Sequence, residues 1–328
     1  MIKNATFRQL AALHAVARLG SVSSAATELH LTQPAISIQI KLLEDAAGMP
    51  LLEREGRGIR LSGAGEVLSG YAARILDLWR EAGDEMAAQR GGFSGTLRVG
   101  AVTTAEYLLP PLLVAFADGR PEVKIQLKVG NRGDIVHMLA GQEIDVAIMG
   151  RPPAELKTKA VSFARHPMAF LAAPGDPLMA RRRLSIADLA QAKLLVRERG
   201  SGTRATLEAL YKAASLPLRV GSELSSNEAI KQMCAAGFGV AFLSLHTCRL
   251  ELDAGMLALL PMKAHPIESD WYAVHLATRR MPQMASAFMQ FLSDQGQRLI
   301  LRQLEAGAAT AGAAPAAGKT RARSRRPS

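Results

Sequence analysis

The stretch from Gly20 to Gly65 constrains this chain most, because its apolar spacing and its breaks fit a tight group of short helices followed by a hairpin. Phe7, Leu10, Leu13 and Val16 recur at three-residue steps, which predicts one apolar face of a first helix, and Gly20 with Ser21 ends it. A second helix is expected behind a cap at Ser23 or Ser24. Its Ala25, Ala26 and Leu29 are small or apolar enough to let another helix cross closely. His30, Leu31 and Thr32 form the turn. Pro34, whose fixed φ and missing N–H suit a first helical turn, opens the third helix behind Thr32 or Gln33.

That third helix carries two faces. Ile36, Ile40 and Leu43 fall at i, i+4 and i+7 and predict a core stripe, while Gln33, Ser37 and Lys41 fall at i, i+4 and i+8 on another side. Gln pairs with adenine through two bonds, Ser bonds several base edges, and Lys reaches guanine or phosphate. The same triplet alone would be an ordinary solvated face, but it follows a helix and a turn at the distance a major-groove reader needs. Two short runs, Leu51 to Arg54 and Ile59 to Leu61, flank Glu55-Gly56-Arg57-Gly58 and predict a β-hairpin wing. Arg54, Arg57 and Arg60 on or beside it match phosphate with their planar fork of donors. The expectation is a winged helix-turn-helix over residues 1–62, with Thr32, Gln33, Pro34, Ser37, Lys41, Arg54, Arg57 and Arg60 at double-stranded DNA.

The formal charge of +11 on 328 residues points to a polyanionic partner, and its placement is uneven. Residues 1–60 hold seven Lys/Arg against five Asp/Glu, whereas 306–328 hold five basic residues and no acidic one. That Ala-, Gly- and Pro-rich tail cannot bury a core and is expected to be disordered, either a solubilising extension or an arm adhering to DNA. No apolar stretch approaches the roughly 18 residues of a membrane span, and the N-terminus lacks a signal-peptide pattern, so the expected location is the cytoplasm. Cys234 and Cys248 are distant in sequence and flanked by apolar residues; buried free thiols are expected.

From Gly65 to Arg90, Val67, Leu68, Tyr71, Ile75, Leu78 and Trp79 recur at three- and four-residue steps. A helix of this length, roughly 40 Å at about 1.5 Å per residue, exceeds one small winged domain and suits pairing with a second copy. Residues 63–94 are thus read as a linker and dimerisation helix with a joint at Gly91, Gly92 and Gly95, which predicts a homodimer or homotetramer. Beyond it strands and helices alternate: strands at 96–101, 123–129, 144–149, 168–172, 193–196, 219–224, 240–243 and 271–276, and helices at 108–116, 135–139, 186–190, 203–214, 227–235 and 284–292. The order is that of parallel α/β sheets in two lobes, lobe I at 95–165 and 268–305 and lobe II at 166–267, similar to periplasmic solute-binding proteins. The fold class is therefore α+β multidomain: an N-terminal winged helix-turn-helix, a long linker helix and a two-lobed α/β domain over 95–305.

In such sheets ligands bind beyond the carboxyl ends of the strands. That rule selects Thr103 and Thr104, Asn131 and Arg132, the run Ser201-Gly202-Thr203-Arg204 behind Gly200, and Asn227 behind Ser225-Ser226. The Gly-Ser-Gly-Thr-Arg segment is the sharpest, with backbone N–H groups, hydroxyls and the charge of Arg204 at a positive helix end, although it also fits an ordinary capped turn. An anion-binding enzyme is the distant competing class. The chain shows no paired His or Cys at metal-ligand spacing, no Gly-x-Ser-x-Gly elbow and no P-loop lysine, so no metal, cofactor or catalytic residue is expected. A solute-binding protein, the other rival, has no use for the first 62 residues. His246 and His275 are read as structural.

Ala25-Ala26, Leu29, Thr32-Gln33-Pro34-Ala35, Ser37, Leu43-Glu44, Gly48, Pro50-Leu51, Arg54 and Ser62-Gly63-Ala64-Gly65 resemble the DNA-binding half of the LysR-type transcriptional regulators. The chain departs from that pattern at Leu52, where Phe is usual, and at Gly63, where Glu or Pro is common, which bears on the wing base and the next helix cap. Within the family, Val129 to Arg132, Asp145 to Pro153, Val196 to Arg204, Ser225 to Glu228, Phe242 to His246 and Trp271 to His275 resemble the Calvin-cycle, or RuBisCO operon, regulators often called CbbR. The resemblance implies an operator-binding regulator, with RNA polymerase a further candidate partner, whose effector is a phosphorylated sugar-acid metabolite or a nicotinamide nucleotide. A LysR-type regulator of another operon with a different carboxylate effector is the alternative.

Overall fold

A computed structural model describes residues 4–55, 58–89, 95–263 and 266–311. Three helices open the chain: α1 (Phe7–Leu19), α2 (Val22–Glu28) and α3 (Gln33–Ala47). Thr6 caps α1 in a reciprocal box with Gln9, and Gly20, at φ 62°, ends it in the left-handed conformation that glycine adopts without cost. The α2 cap is Ser21, ahead of the expected Ser23 or Ser24, because the Ser21 hydroxyl reaches the Ser24 N–H. Leu10, Leu13 and Val16 of α1 meet Ala25 and Ala26 of α2 and Ile36, Ile40 and Leu43 of α3 in one core. Truncating a leucine there to alanine costs about 2 to 5 kcal/mol. Phe7, expected in that core, is 45 % exposed and its ring instead lies 4.9 Å from that of Trp79.

The wing is β1 (Leu52–Glu55) against β2 (Gly58–Leu61), antiparallel, with Leu52 opposite Leu61 and Glu53 opposite Arg60. Leu52, Ile59 and Leu61 pack onto the helical core, so leucine serves at the wing base. Then comes the 27-residue α4 (Gly63–Gln89). Ser62 supplies its cap, accepting from the Gly65 N–H at 3.0 Å and donating to the Pro50 carbonyl at 2.7 Å. Gly65 is required by close approach: a Cβ there would stand 2.0 Å from the Leu51 carbonyl oxygen.

The remaining strands form two five-stranded sheets. The first takes β3 (Gly95–Val102), β4 (Val123–Gly130), β5 (Val146–Met149), β6 (Thr158–Arg165) and the late β12 (Asp270–Leu276), in the order β4-β3-β5-β12-β6. Helices α5 (Leu109–Ala117) and α6 (Arg132–Ala140) connect its parallel strands. The second takes β7 (Met168–Ala172), β8 (Leu194–Arg197), β9 (Val220–Leu224), β10 (Val240–Ser244) and β11 (Ala258–Leu259), in the order β11-β7-β10-β8-β9. Here α7 (Gly202–Ala213) and α8 (Asn227–Ala235) serve as crossovers. Short α9 (Arg249–Asp253) precedes β11, and α10 (Gln283–Ala311) is the last element among the described residues.

The sheets are not wholly parallel as expected: β7 runs antiparallel to β10 and β11. The helix expected at 186–190 is a single 3₁₀ turn, Ile186–Leu189. Helix α10 continues to Ala311, six residues into the tail expected to be unstructured. The chain divides into two compact units, one of Met1–Val102, Leu113–Ala160 and Ala273–Gln290, the other of Thr103–Leu112, Val161–Tyr272 and Phe291–Ser328. Among the described residues no helix is long and apolar enough to cross a membrane. Both cysteines are free and buried, and burial pushes their thiols up, Cys234 to about 11 and Cys248 to about 12. The expected joint at Gly91 and Gly92 lies outside the described residues.

Candidate DNA-reading and effector sites

In the first unit, Thr32 caps α3 by accepting from the Ala35 N–H at 3.3 Å, and Pro34 occupies the first turn. With Ile36, Ile40 and Leu43 buried, the helix turns Gln33, Ser37 and Lys41 to solvent. Gln33 Oε1 accepts weakly from the Ser23 hydroxyl at 3.4 Å, and Lys41 pairs with Asp45 at 3.2 Å across one exposed turn. Such exposed pairs are worth little, so both side chains are available to another partner. On the wing the exposed Arg54 side chain makes no hydrogen bond or ion pair among the described residues, whereas Arg60 pairs with Glu53 directly across the hairpin. Arg57 lies outside the described residues.

In the second unit, Thr103 begins the 3₁₀ turn that follows β3, and Thr104 beside it is buried. Asn227 opens α8 and is buried as well. What joins Thr103 to Asn227 is Arg197, the last residue of β8, which sequence reasoning passed over. Its side chain is 2 % exposed; Nη1 donates to Asn227 Oδ1 at 2.5 Å, Nη2 to Thr103 Oγ1 at 3.1 Å, and Nε and Nη2 to the Glu198 carboxylate at 2.7 and 2.9 Å. A charged residue closing an otherwise apolar buried strand, Leu194-Leu195-Val196, was the available signal.

The turn from β8 into α7 carries Gly200 at φ 90°, a conformation side chains resist. Ser201 then stands at the helix N-cap without its hydroxyl capping, which leaves the first-turn N–H groups of Gly202 and Thr203 uncapped by that side chain. Arg204 is placed differently from the expectation. Its guanidinium is buried and committed to Glu208 at 2.6 Å, to Glu223 at 3.5 Å and to the Arg197 carbonyl at 3.3 Å, because neighbouring carboxylates on α7 and β9 compensate its burial. It braces the turn that carries Arg197.

Around Asn227 lies a second charged group. Lys231, almost fully buried, bridges Glu228 at 2.7 Å and Glu251 at 2.8 Å beneath the Tyr107 ring, whose hydroxyl donates to Glu228 at 2.5 Å. Burial pushes the Tyr107 phenol above its ordinary range, with the Glu228 carboxylate adding to it. Burial also raises Glu228, but donation from Lys231 and Tyr107 outweighs this and holds it below the usual value. Tyr107 is thereby fixed in place beside Thr103 and Asn227, which Arg197 holds.

Asn131 and Arg132 belong to the first unit. Asn131 caps α6 in a reciprocal box with Asp134, at 2.9 and 3.0 Å, and Arg132 pairs with Glu155 at 3.0 Å. His246 accepts from the Trp271 indole N–H at 3.1 Å and His275 Nδ1 meets the Leu276 carbonyl at 3.0 Å, both structural contacts.

Residues 7–66 match the bacterial regulatory helix-turn-helix proteins of the LysR family, and residues 90–297 match the LysR substrate binding domain. The chain is 43 % identical to the HTH-type transcriptional regulator CbbR of Rhodospirillum rubrum over 295 residues, 89 % of this chain and 98 % of that protein. Among solved structures, the regulatory domain of CcmR from Synechocystis PCC6803 in complex with 2-PG is 34 % identical, with a TM-score of 0.59 over 61 % of this chain and 97 % of the other. Full-length CbnR complexed with its target DNA is 25 % identical, with a TM-score of 0.63 over 88 % of this chain and 99 % of the other.

Proposed function

The chain belongs to the LysR family of bacterial helix-turn-helix transcriptional regulators, and from that premise we propose that it controls carbon-fixation genes in response to a small phosphorylated acid. The relatives are regulators, and so is this chain; it is not an enzyme. Gln33, Ser37 and Lys41 read the operator, while Arg54, Arg57 and Arg60 grip phosphate. Similarity to CbbR supports RuBisCO genes as the target, and the CcmR complex supports 2-phosphoglycolate (2-PG) as the first effector to test.

The observation that carries the effector reading is Arg197, buried yet bonded to Thr103 and Asn227 and followed by the α7 N-terminus. Together these offer a guanidinium, hydroxyls of Ser201 and Thr203, and free backbone donors to one anion. Thr104 lies next to Thr103 in its 3₁₀ turn, and Arg204 acts by bracing the Arg197 carbonyl at the end of β8. Asn131 and Arg132 stay candidate effector contacts, and a nicotinamide nucleotide or another carboxylate is the alternative ligand.

Assembly follows from α4. Val67, Tyr71, Leu78, Trp79 and Met86 are exposed along one long helix, an apolar surface that suits a second copy. The test is footprinting of the full-length protein on carbon-fixation promoters, with isothermal titration of 2-phosphoglycolate alongside. A protected site whose pattern changes with the ligand is expected. Binding only of another carboxylate would assign the protein to a different operon.

A further inference from the structure

Four of the five N–H donors of Arg197 are already taken: two by Glu198, one by Asn227 and one by Thr103. The two held by Glu198, on Nε and Nη2, form the paired edge of the guanidinium, the edge onto which a carboxylate or phosphate ligand fits with two parallel bonds. The Glu198 carboxylate therefore sits as such a ligand would. It is also on the wetter side of the pair, its side chain 20 % exposed against 2 % for Arg197.

We propose that Glu198 is a resident counter-ion of the effector site, and that an anionic effector binds by displacing it from Arg197. This rests on the assignment of Arg197 to the effector. The backbone of Glu198 is fixed on both sides, its N–H donating to the Leu224 carbonyl at 3.1 Å and its carbonyl accepting from the Ser201 N–H at 3.2 Å. Release of the paired edge thus needs only rotation of the Glu198 side chain, and β8 and the α7 turn stay in place.

Two consequences follow. An uncharged ligand cannot replace the carboxylate, since it would leave a buried guanidinium uncompensated, so the site selects anions able to supply two oxygens to one edge. Without effector, Arg197 stays neutralised and the fold bears no unpaired buried charge. The internal pairing lowers apparent affinity by the fraction of molecules in which the edge is free, a tax that loss of the carboxylate removes.

The test is titration of 2-phosphoglycolate into full-length wild type, Glu198→Gln and Glu198→Asp, with the effector-dependent DNA footprint recorded for each. Glu198→Gln is expected to lower the apparent Kd about tenfold and to shift the footprint response to about tenfold lower ligand, with the same final pattern. Glu198→Asp keeps the charge but is a methylene too short to hold both donors, so it should gain affinity to a smaller degree; it decides the matter if the glutamine variant fails to fold. Weaker or unchanged binding in the variants, with wild type binding, would overturn the displacement and leave the effector site standing. Absence of 2-phosphoglycolate binding in wild type and variants alike would remove the effector assignment itself and this inference with it.

Discussion

Arg98 on β3 and Asp145, just ahead of β5, meet in a two-bonded ion pair, Nε to Oδ2 at 3.0 Å and Nη2 to Oδ1 at 2.6 Å, almost wholly withdrawn from water. Arg279 reaches the same carboxylate at 3.1 Å. From the linker helix, Asp77 on α4 comes within 3.6 Å of Arg98 Nη1 and takes Arg80 at 2.7 Å. The network therefore ties α4 to the first effector sheet inside one compact unit. Removing one partner strands the others in a poorly solvated place.

Arg98→Ala is accordingly expected to destabilise the protein by about 3 to 5 kcal/mol, and Arg98→Lys by less, since a point charge cannot serve both oxygens at once. Urea unfolding followed by circular dichroism measures both. A loss below about 1 kcal/mol for alanine would show that the network is dispensable.

Acid sensitivity has a different origin. His166 stacks on Trp271 with ring centroids 3.8 Å apart, both its ring nitrogens are buried without a hydrogen-bond partner among the described residues, and burial together with nearby His246 pulls its pKa down to about 3. Burial pulls His246 down to about 4. Below the ordinary histidine value of about 6.5 the unfolded chain takes up protons that the folded chain refuses until pH falls to these lower values. Stability is thus unaffected by these groups above about 6.5 and falls as pH drops from there toward 4, by on the order of 3 kcal/mol per histidine at the lower end. His166→Phe keeps the stacking and removes the refusal. Its melting temperature should decline less steeply than that of wild type in a pH series, and parallel slopes would discount the histidine.

The parts legible in the sequence were those set by neighbours along the chain. Thr32 and Pro34 mark the start of α3 through one turn of backbone chemistry, and the Ile36, Ile40, Leu43 stripe fixes which face is buried. β6 was missed because its first half, Thr158-Lys159-Ala160, shows no apolar alternation. At five residues, α9 is too short for a helical period. Arg197 escaped for a third reason. Its partners Thr103 and Asn227 were picked singly by the rule for strand ends, but nothing local says that a strand-terminal arginine 94 positions away will join them.

The exposed face of α4 predicts assembly through that helix. Leu78 is expected to be buried against a second copy, so Leu78→Glu should weaken dimerisation by about 10- to 100-fold, the scale of one buried leucine lost and one charge placed there. Light scattering across a concentration series reads the outcome. Unchanged mass at low micromolar protein would move the interface elsewhere.

On DNA, reading and gripping should separate. Gln33→Ala and Ser37→Ala are expected to relax operator preference by about 1 to 3 kcal/mol each, whereas Arg54→Ala should weaken operator and scrambled DNA alike and reduce the salt slope by about one. Binding at several salt concentrations distinguishes the two. If Gln33→Ala lowered both affinities equally, α3 would not be the reading helix.

The two buried arginines of the second unit should part company in the same way. Arg197 presents its paired edge toward the wetter side of the site and holds Thr103 and Asn227, so Arg197→Ala is expected to abolish 2-phosphoglycolate binding and the footprint change, while effector-free operator affinity stays within about threefold. Arg204 touches Glu208, Glu223 and the Arg197 carbonyl and supports the turn from behind. Arg204→Ala should therefore cost about 1 to 3 kcal/mol of stability, because it frees a carbonyl and two carboxylates, yet retain a ligand response of full amplitude at higher ligand concentration. Calorimetry separates amplitude from affinity and thermal unfolding reports the stability. The reverse pattern, a normal response in Arg197→Ala and none in a well-folded Arg204→Ala, would return the anion to Arg204 and the first turn of α7.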